Sequence, residues 1–228
     1  MLEQRYSRNK KMISDMDQQL LRESRICVLG CGGLGGYIIE LLTRIGVGHI
    51  TAVDGDCFDE SNLNRQLLSD MSTLGKSKAI VAAERIHRID PETSVRSIAD
   101  FLIEENAVEI LQEHTVVIDA LDSIEARFMV SKYCSELGIP YICGAIAGWY
   151  GQVTTIFPGD NTLHKLYKGT TNKGMEKELG NPSFTPALVA AIEVSECVKL
   201  ITKKGTLLRH KFMYINLLDQ EFEVFDLS

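Results

Sequence analysis

Gly30-Cys31-Gly32-Gly33-Leu34-Gly35 decides the fold of this chain, because its glycines fit the pattern G-x-G-x-x-G. An apolar run precedes it at residues 26–29, and a helical pattern of apolar residues follows it at residues 37–45. A strand, a tight turn and a helix in this order bring backbone N–H groups to a helix N-terminus, where they can bind a phosphate. The stretch therefore predicts a nucleotide-binding strand–helix unit.

A single acidic residue, Asp54, ends the next apolar run at residues 50–53. A carboxylate at this distance from the glycines can accept a hydrogen bond from a ribose hydroxyl. The glycine pattern alone is a weak signal, since the same glycines can serve only to pack the helix closely against the strand. With Asp54, nucleotide binding becomes the favoured interpretation.

The composition is that of an ordinary globular protein, with 228 residues, 45% hydrophobic and 24% charged. The net charge of -7 argues against bulk attraction to nucleic acid or to an anionic membrane. No apolar run is long enough to span a bilayer, and residues 1–11 lack the apolar core of a signal peptide. We therefore expect a cytoplasmic protein that binds neither membrane nor nucleic acid.

Six cysteines are present, and no two of them form a C-x-x-C pair. This spacing gives no zinc-ribbon or thioredoxin-type signature. We expect the thiols to be reduced and mostly buried as small hydrophobic side chains.

Strand and helix patterns alternate along the first two thirds of the chain. Because each apolar strand run is bounded by helices, the pattern predicts an α/β fold: a Rossmann-like, mainly parallel sheet with helices on both faces. The predicted strands are residues 24–29, 49–53, 94–98, 116–119 and 141–144, and the predicted helices are residues 34–45, 76–89, 104–113 and 124–137. Gly138 is a plausible stop for the last of these helices.

The pattern changes after residue 144. We expect one amphipathic segment at residues 5–21, a polar and only weakly periodic loop at residues 160–182, and antiparallel strands added at the C-terminal end of the sheet. The elements predicted there are a strand at residues 152–157, a helix at residues 186–203 and two strands at residues 212–217 and 221–225.

A polar stretch after Asp54 argues for a triphosphate rather than a nicotinamide. Asn62, Arg65 and Gln66 come from one short segment and can converge, and Lys76 and Lys78 open the next helical pattern. Lys78 falls in the first turn of that helix, where a cation opposes the helix dipole. A bound polyanion explains such a cation, although a solvated surface lysine is the simpler alternative.

Two carboxylates follow the buried strand at residues 116–118. Ligands of open α/β sheets bind outside the carboxyl ends of the strands, and Mg²⁺ takes one or two carboxylates together with phosphate oxygens and water. Asp122 is the candidate metal ligand and Asp119 is its rival, while either one could instead cap the following helix.

These motifs together resemble the ThiF/MoeB/HesA family of the ubiquitin-activating-enzyme superfamily, in the correct order and over nearly the whole chain. The resemblance implies a single adenylation domain over residues 1–228, with a helical arm at residues 1–22 and a crossover loop at residues 160–183. The motifs are Arg5-Tyr6-Ser7-Arg8, residues 30–35, Gly46-Val47-Gly48, Asp54, residues 61–66, Gly75-Lys76-Ser77-Lys78 and Asp122.

The activity implied by the resemblance is the transfer of AMP from ATP·Mg²⁺ to a protein. The acceptor would be the C-terminal glycine of a ubiquitin-like sulfur-carrier protein of the ThiS or MoaD type, ending in Gly-Gly. The product would be an acyl-adenylate with release of pyrophosphate, for the biosynthesis of thiamine or a molybdopterin-type cofactor. This chemistry needs cations and positioning rather than a nucleophilic side chain.

The resemblance also implies roles for individual residues. Arg8, Arg65, Lys78 and Asp122 would be catalytic, with Asp122 on the metal and Arg8 reaching into the site of a partner subunit, so that a homodimer is expected. The nucleotide-binding set would be Gly30, Gly32, Gly33, Gly35, Asp54, Asp56, Ser61, Asn62, Arg65, Gln66, Lys78, Asp122 and Ser123.

The chain departs from many of its relatives in its cysteines. It has neither of the two C-x-x-C pairs that hold structural zinc, so we expect no zinc. Residues 160–182 contain no cysteine, so we expect adenylation only, with a separate sulfur donor. We expect this loop to fold over the tail of the carrier instead, beside Trp149-Tyr150-Gly151-Gln152.

Three alternatives remain open at this stage. A tRNA-modifying dehydratase of the same superfamily would activate a small carboxylate on tRNA and would show a basic face. A nicotinamide oxidoreductase would bind NAD and would not exchange pyrophosphate. A non-catalytic partner subunit would be expected to lose its cations, but Arg8, Arg65, Lys78 and Asp122 are all present.

Overall fold

The structure, a computed structural model, describes residues 4–9, 11–168 and 179–228, which fold around one eight-stranded sheet. The strands are β1 (Arg25–Leu29), β2 (His49–Val53), β3 (Ser94–Ile98), β4 (Val116–Asp119), β5 (Tyr141–Ala147), β6 (Tyr150–Ile156), β7 (Lys211–Asn216) and β8 (Glu221–Asp226). The helices are α1 (Asp15–Glu23), α2 (Gly33–Ile45), α3 (Lys78–Ile89), α4 (Glu104–Leu111), α5 (Ile124–Leu137), α6 (Thr162–Leu166) and α7 (Phe184–Thr202). Single 3₁₀ turns form at Gln4–Tyr6 and Glu60–Asn62.

The sheet has the order β3-β2-β1-β4-β5-β6-β7-β8. The first five strands in this order are parallel and the last three are added antiparallel, which confirms the predicted fold class. The connection from β1 leads outward to β2 on one side, whereas β4 lies on the other side of β1. Ligands of such sheets bind at this reversal of strand order.

Alternating side chains of the strands divide the core into two layers. Ile26 and Val28 of β1 belong to one hydrophobic cluster, together with buried residues of α2, α3 and α7. Cys27 and Leu29 point to the opposite face and belong to a second cluster with buried residues of α4 and α5. Helices therefore cover both faces, as a parallel sheet requires.

The cysteines behave largely as predicted, because five of the six are buried and Cys57 is exposed. All six are free thiols. Burial raises the pKa of Cys27 and Cys197, the latter to about 12, so these two thiols stay protonated at neutral pH.

Glycines end two of the helices that pack on the sheet. Gly46 follows α2 with φ of 94° and Gly138 follows α5 with φ of 74°, a left-handed conformation that glycine adopts without steric cost. Gly138 is therefore the helix stop that the sequence predicts.

Two segments differ from the sequence-based predictions. Residues 5–21 are not one amphipathic element, because Ser14 caps a new helix: its hydroxyl accepts a hydrogen bond from Asp17 N–H, and its N–H donates to the Asp17 carboxylate at 2.7 Å. The polar segment after residue 160 contains helix α6, whose Leu163 is buried in the core. The remainder of that loop, residues 169–178, lies outside the described residues.

Several boundaries also shift by one to three residues. Helix α3 begins at Lys78 rather than at Lys76, because Ser77 occupies its N-cap position. Strands β5 and β6 extend toward each other across a tight turn in which Gly148 has φ of 57°. No helix among residues 4–9, 11–168 and 179–228 combines the length and apolar character needed to cross a lipid bilayer.

We expect Gly35→Ala to destabilise the protein far more than Gly36→Ala, although the two glycines are neighbours in α2. A Cβ atom on Gly35 would overlap the carbonyl oxygen of Gly30, whereas a Cβ atom on Gly36 would lie 3.3 Å from the flexible side chain of Leu68. Overpacking against backbone should lower the free energy of unfolding by about 2 kcal/mol or more. Gly36→Ala should stay within about 1 kcal/mol, since alanine also favours the helix. Urea denaturation measures the free energy of unfolding of both variants. Equal losses would contradict the close contact of Gly35 with the backbone of Gly30.

Candidate nucleotide-binding site

A cavity of about 690 Å³ opens at the carboxyl ends of the parallel strands. Its walls come from the glycine turn after β1, the segment after β2, the loops after β3 and β4, the end of β5 and the segment before α7. This volume is within the usual range for small-molecule sites. The cavity lies where the strand order of the sheet reverses, which is the expected place for a ligand.

The glycine turn gives the cavity its floor. Gly30 has φ of 94°, and a Cβ atom there would lie 2.8 Å from the carbonyl oxygen of Ala120. Cβ atoms on Gly32 and Gly33 would meet side chains at 3.4 Å (Gln66 Nε2) and 3.6 Å (Arg65 Cγ). The missing side chains therefore leave room for Gln66 and Arg65 beside the N-terminus of α2, whose first N–H groups have no partner within the helix.

Asp54 braces this turn through both oxygens of its carboxylate. Oδ2 accepts a hydrogen bond from Cys31 N–H at 2.7 Å, and Oδ1 accepts one from Asp56 N–H at 2.8 Å. Asp54 also lines the cavity. Because each carboxylate oxygen can accept a second hydrogen bond, the side chain can hold the turn and still receive a ribose hydroxyl.

Lys78 is the first residue of α3 and is 7% exposed. Its ammonium lies 3.2 Å from Oδ2 of Asp56, and both residues line the cavity. Lys76, two residues earlier, is exposed and is not one of the lining residues. The structure therefore brings Lys78 to the cavity and not Lys76, in a position where a buried cation opposes the helix dipole.

Arg65 reaches the glycine turn from the 3₁₀ turn Glu60–Asn62. Nη1 of Arg65 donates hydrogen bonds to the carbonyl oxygen of Ser61 at 3.0 Å and to Oδ1 of Asn64 at 2.9 Å. Asp59 caps the 3₁₀ turn by accepting a hydrogen bond from Ser61 N–H. This local structure explains how residues adjacent in sequence converge on one cavity.

Two amide side chains complete this wall. Asn62 and Gln66 are 5% and 6% exposed and both line the cavity. Oδ1 of Asn62 accepts a hydrogen bond from Asp59 N–H at 3.2 Å, and its NH₂ group donates one hydrogen to Ser61 Oγ at 3.4 Å, which leaves the second hydrogen for a ligand. Oε1 of Gln66 has no hydrogen-bond partner among the described residues. Both amides can therefore still bind a ligand.

The two candidate metal ligands, Asp119 and Asp122, differ in whether they are available to a metal ion. Asp119 is fully buried: Oδ2 accepts a hydrogen bond from the hydroxyl of Tyr141 at 2.6 Å, Oδ1 accepts one from Leu121 N–H at 2.6 Å, and Nε of Arg127 lies 3.2 Å away. It is therefore not available to a metal. Asp122 is exposed and lines the cavity. Neither carboxylate caps α5, because that position belongs to Ser123.

A single carboxylate fits a Mg²⁺ ion that is bound mainly through phosphate oxygens and water. Among the residues that the structure describes, no three His, Cys, Asp or Glu side chains cluster closely enough to hold a metal ion on their own. Asp122 is thus suited to a metal that arrives with a nucleotide. The expected lack of zinc stays a prediction.

Arg127 is a lining residue that sequence reasoning missed. Its Nη2 donates hydrogen bonds to the carbonyl oxygens of Leu121 at 2.6 Å and Gly144 at 3.2 Å, and its Nη1 donates to the hydroxyl of Tyr167 at 2.8 Å. Burial opposes its charge, but the nearby Asp119 raises the pKa of Arg127 well above its usual value. The sequence did offer one signal for Arg127, because this arginine lies on the apolar face of the helix predicted at residues 124–137.

Other missed lining residues are spread over several strands and loops. Phe101 follows β3, and its ring packs where a Cβ atom on Gly55 would otherwise be, so it covers the side of the cavity next to β2. The remaining missed positions are Leu29, Leu34, Val53, Gly55, Asp59, Asn64, Asp100, Leu102, Ala120, Leu121, Ala145, Ile146, Gly180 and Asn181. Leu34 and Asn64 lie inside the motifs at residues 30–35 and 61–66, whereas the other positions come from segments that no motif marks.

Three predicted site residues do not line the cavity of their own chain. Gly35 packs against the backbone of Gly30 instead, and the hydroxyl of Ser123 accepts a hydrogen bond from Ala126 N–H at 3.4 Å. Both therefore have structural roles within the chain, and their assignment to nucleotide binding stays a prediction. Arg8 is exposed and lies outside this cavity, so its role in a partner's site stays a prediction.

The sequence matches the ThiF family over residues 6–228. The chain belongs to the ThiF family. This membership, together with adenylyltransferase names on several relatives, supports an adenylyltransferase activity and confirms the resemblance that the motifs predict.

Two curated relatives illustrate the similarity. The SAMP-activating enzyme E1 of Haloferax volcanii is 31% identical over 96% of this chain and 83% of its own length. The sulfur carrier protein ThiS adenylyltransferase of Bacillus subtilis is 32% identical over 87% of this chain, which spans 61% of that relative. Some ThiF-family relatives are thus considerably longer than this chain.

A solved structure of E. coli MccB with ATP shares the fold, with a TM-score of 0.83 over 99% of this chain and 72% of MccB. The two sequences are 23% identical. The likeness supports the ThiF-type architecture of the sheet and helices.

We expect Lys78→Met to weaken ATP·Mg²⁺ binding by about 10- to 100-fold, because one charge-assisted contact to a phosphate is lost. Lys76→Met is the matched control: it removes the same charge two residues away, from an exposed side chain outside the cavity. Isothermal titration with a non-hydrolysable ATP analogue measures both. If Lys76→Met weakens binding as much as Lys78→Met, the cavity is not the nucleotide site.

Proposed function

We propose that this protein is a cytoplasmic ATP-dependent adenylyltransferase that activates the C-terminal glycine of a ubiquitin-like sulfur-carrier protein of the ThiS or MoaD type. The observation that carries the proposal is that Arg65, Lys78 and Asp122 line one cavity with the glycine turn. Two cations, one free carboxylate and a helix N-terminus together suit a nucleoside triphosphate and its metal. A nicotinamide needs neither the buried lysine nor the metal-binding acid.

The nucleotide is proposed to bind along the glycine turn. Its phosphates approach Gly33, where no side chain blocks the backbone, and lie between Arg65 and Lys78. Its ribose reaches Asp54, at the end of β2. Mg²⁺ bound at Asp122 supplies charge neutralisation on the phosphate oxygens.

The reaction needs positioning and positive charge rather than a general base. The terminal carboxylate of the carrier is already ionised at neutral pH. One of its oxygens forms a bond to the α-phosphorus, the bond from that phosphorus to the bridging oxygen breaks, and pyrophosphate leaves with the electron pair. Since an anion attacks a polyanion, Arg65 and Lys78 act by stabilising negative charge.

The carrier tail is proposed to enter the cavity past the end of β5. Ala145, Ile146 and Asn181 line this side, and Gly148 N–H donates a hydrogen bond to the carbonyl oxygen of Gly180 at 2.7 Å. The end of the crossover loop is thereby fixed beside the cavity. We extend the proposal to the loop at residues 160–182, which would fold over the tail.

Deleting residues 169–178 should abolish carrier-dependent adenylation and leave the affinity for ATP unchanged, because the nucleotide contacts lie elsewhere. Titration with ATP and pyrophosphate exchange measure the two effects on one variant. Equal loss of both would contradict a role in holding the tail.

The proposal includes a homodimer in which Arg8 of one protomer serves the cavity of its partner. Arg8 is exposed and makes no hydrogen bond or ion pair with any residue that the structure describes. A cation in this state is available to a second chain. The sulfur donor would be a separate protein, since residues 160–182 contain no cysteine.

The pathway is proposed from the relatives, whose names include a ThiS adenylyltransferase and molybdopterin-synthase adenylyltransferases. Thiamine and molybdopterin-type biosynthesis are therefore the two pathways to test. The tRNA-modifying dehydratase is an alternative outcome, and the net charge of -7 does not favour it.

The test is ATP–pyrophosphate exchange with purified ThiS-type and MoaD-type carriers that end in Gly-Gly. Wild type should exchange pyrophosphate only when a carrier is present, and Asp122→Ala and Arg65→Ala should each lower the rate by about 10²–10³-fold. Glu136→Ala is the control, because Glu136 is exposed at the far end of α5. Exchange without a carrier, or wild-type rates in both site variants, would contradict the proposal.

A further inference from the structure

A buried carboxylate, Asp90, holds the N-terminal arm, which we define as residues 4–9. Asp90 is fully buried and directly follows α3. Its Oδ1 accepts a hydrogen bond from Arg5 Nη1 at 2.6 Å, and its Oδ2 accepts one from the hydroxyl of Tyr6 at 2.7 Å. Arg22 of α1 donates to Oδ2 at 2.7 Å. One acid thus ties the arm and α1 to the body of the protein.

Side-chain packing holds the arm in addition to its hydrogen bonds to Asp90. Tyr6 is 3% exposed, and its ring would lie 2.9 Å from a Cβ atom on Gly46, so the glycine makes room for the ring. Burial would raise the pKa of Asp90, but the hydrogen bonds from Tyr6 and Arg22 outweigh burial and lower it to about 2. The anchor is therefore charged at every pH at which the protein is expected to work.

Asp90 accounts for two residues of the motif Arg5-Tyr6-Ser7-Arg8, none of which lines the nucleotide cavity of its own chain. In Arg5-Tyr6-Ser7-Arg8, the first two residues bind Asp90, while Arg8 extends two residues beyond Tyr6 and is exposed. The motif thus combines two side chains that anchor the arm with one exposed cation.

Asp90 is too far from its own cavity to act there directly. Lys78, at the start of α3, lines the cavity, and Asp90 follows the other end of the same 12-residue helix. At 1.5 Å per residue the two ends are about 18 Å apart. Any effect of Asp90 on the reaction must therefore be indirect, through the arm and α1 that it holds.

We propose that Asp90 is a positioning residue, which fixes the arm of one protomer so that Arg8 enters the nucleotide cavity of its partner. This inference rests on the proposed function, in which Arg8 serves the second subunit. Asp90 touches no reactant, and its contribution is the orientation of the arm.

The variant Asp90→Asn keeps the size of the side chain and removes its charge. We expect the amide hydrogens of Ser7 and Asn9, which bond within the arm at 3.1 and 2.9 Å, to exchange with solvent at least about tenfold faster. Lys204→Met is the control, since Lys204 tethers α1 through Asp17 and does not touch Asp90. Unchanged exchange in Asp90→Asn would overturn the inference without use of a carrier.

The decisive measurement combines two subunits with different tags. A Lys78→Met protomer has a defective cavity and an intact arm, whereas an Arg8→Ala protomer has an intact cavity and an arm without its arginine. Their heterodimer should recover pyrophosphate exchange at one cavity, that of the Arg8→Ala protomer served by the arm of the Lys78→Met protomer. Asp90→Asn placed in the Lys78→Met protomer should remove this recovery by about tenfold or more. The same change placed in the Arg8→Ala protomer should have little effect, because that arm already lacks its arginine.

A merely structural role would not give this asymmetry. If Asp90→Asn acts equally in either protomer, the inference is overturned, and the proposed adenylation still stands on the wild-type exchange. If Arg8→Ala retains full activity, or if the heterodimer does not recover, Arg8 does not act across the dimer and the inference fails with that part of the proposal. Should Asp90→Asn not fold, Tyr6→Phe removes one bond to Asp90 and should show the same asymmetry, more weakly.

Discussion

The backbone of Gly35 packs against the carbonyl oxygen of Gly30 with no space for a side chain, and the geometry of the cavity follows from that contact. It holds the start of α2 directly behind the end of β1, so that the first N–H groups of the helix face the reversal of strand order. Asp54 then braces the same turn from β2. Phosphate recognition is in this way a consequence of strand–helix packing.

The charged side chains around the glycine turn differ in burial and in the partners that restrain them. Lys78 is buried and already paired with Asp56, whereas Arg65 donates hydrogen bonds to the carbonyl oxygen of Ser61 and the amide oxygen of Asn64 in its own segment. Asp122 is exposed, while Asp119 is buried and accepts a hydrogen bond from Tyr141. The site thus combines a fixed cation with side chains that can adjust to a nucleotide and its metal, which suits catalysis by positioning and charge.

The sequence predicted those parts of the structure that depend on local periodicity and turn chemistry. The mainly parallel sheet could be anticipated because apolar strands and amphipathic helices alternate, and Lys78 stood out because a cation at a helix start is unfavourable without an anion. The prediction failed for Arg127 and Phe101, which reach the cavity from distant segments. Residues such as Asp90, with partners 84 and 85 positions away, carry no signal in a single sequence.

The proposed activity requires that a nucleoside triphosphate binds between Arg65 and Lys78 and that its metal ion binds at Asp122. A crystal structure with a non-hydrolysable ATP analogue and Mg²⁺ tests this most directly. We predict that the phosphates lie along the turn at Gly32 and Gly33, with both cations within hydrogen-bonding distance and Asp122 bound to the ion directly or through water. A nucleotide bound elsewhere, or one whose phosphates point away from these residues, would contradict the account.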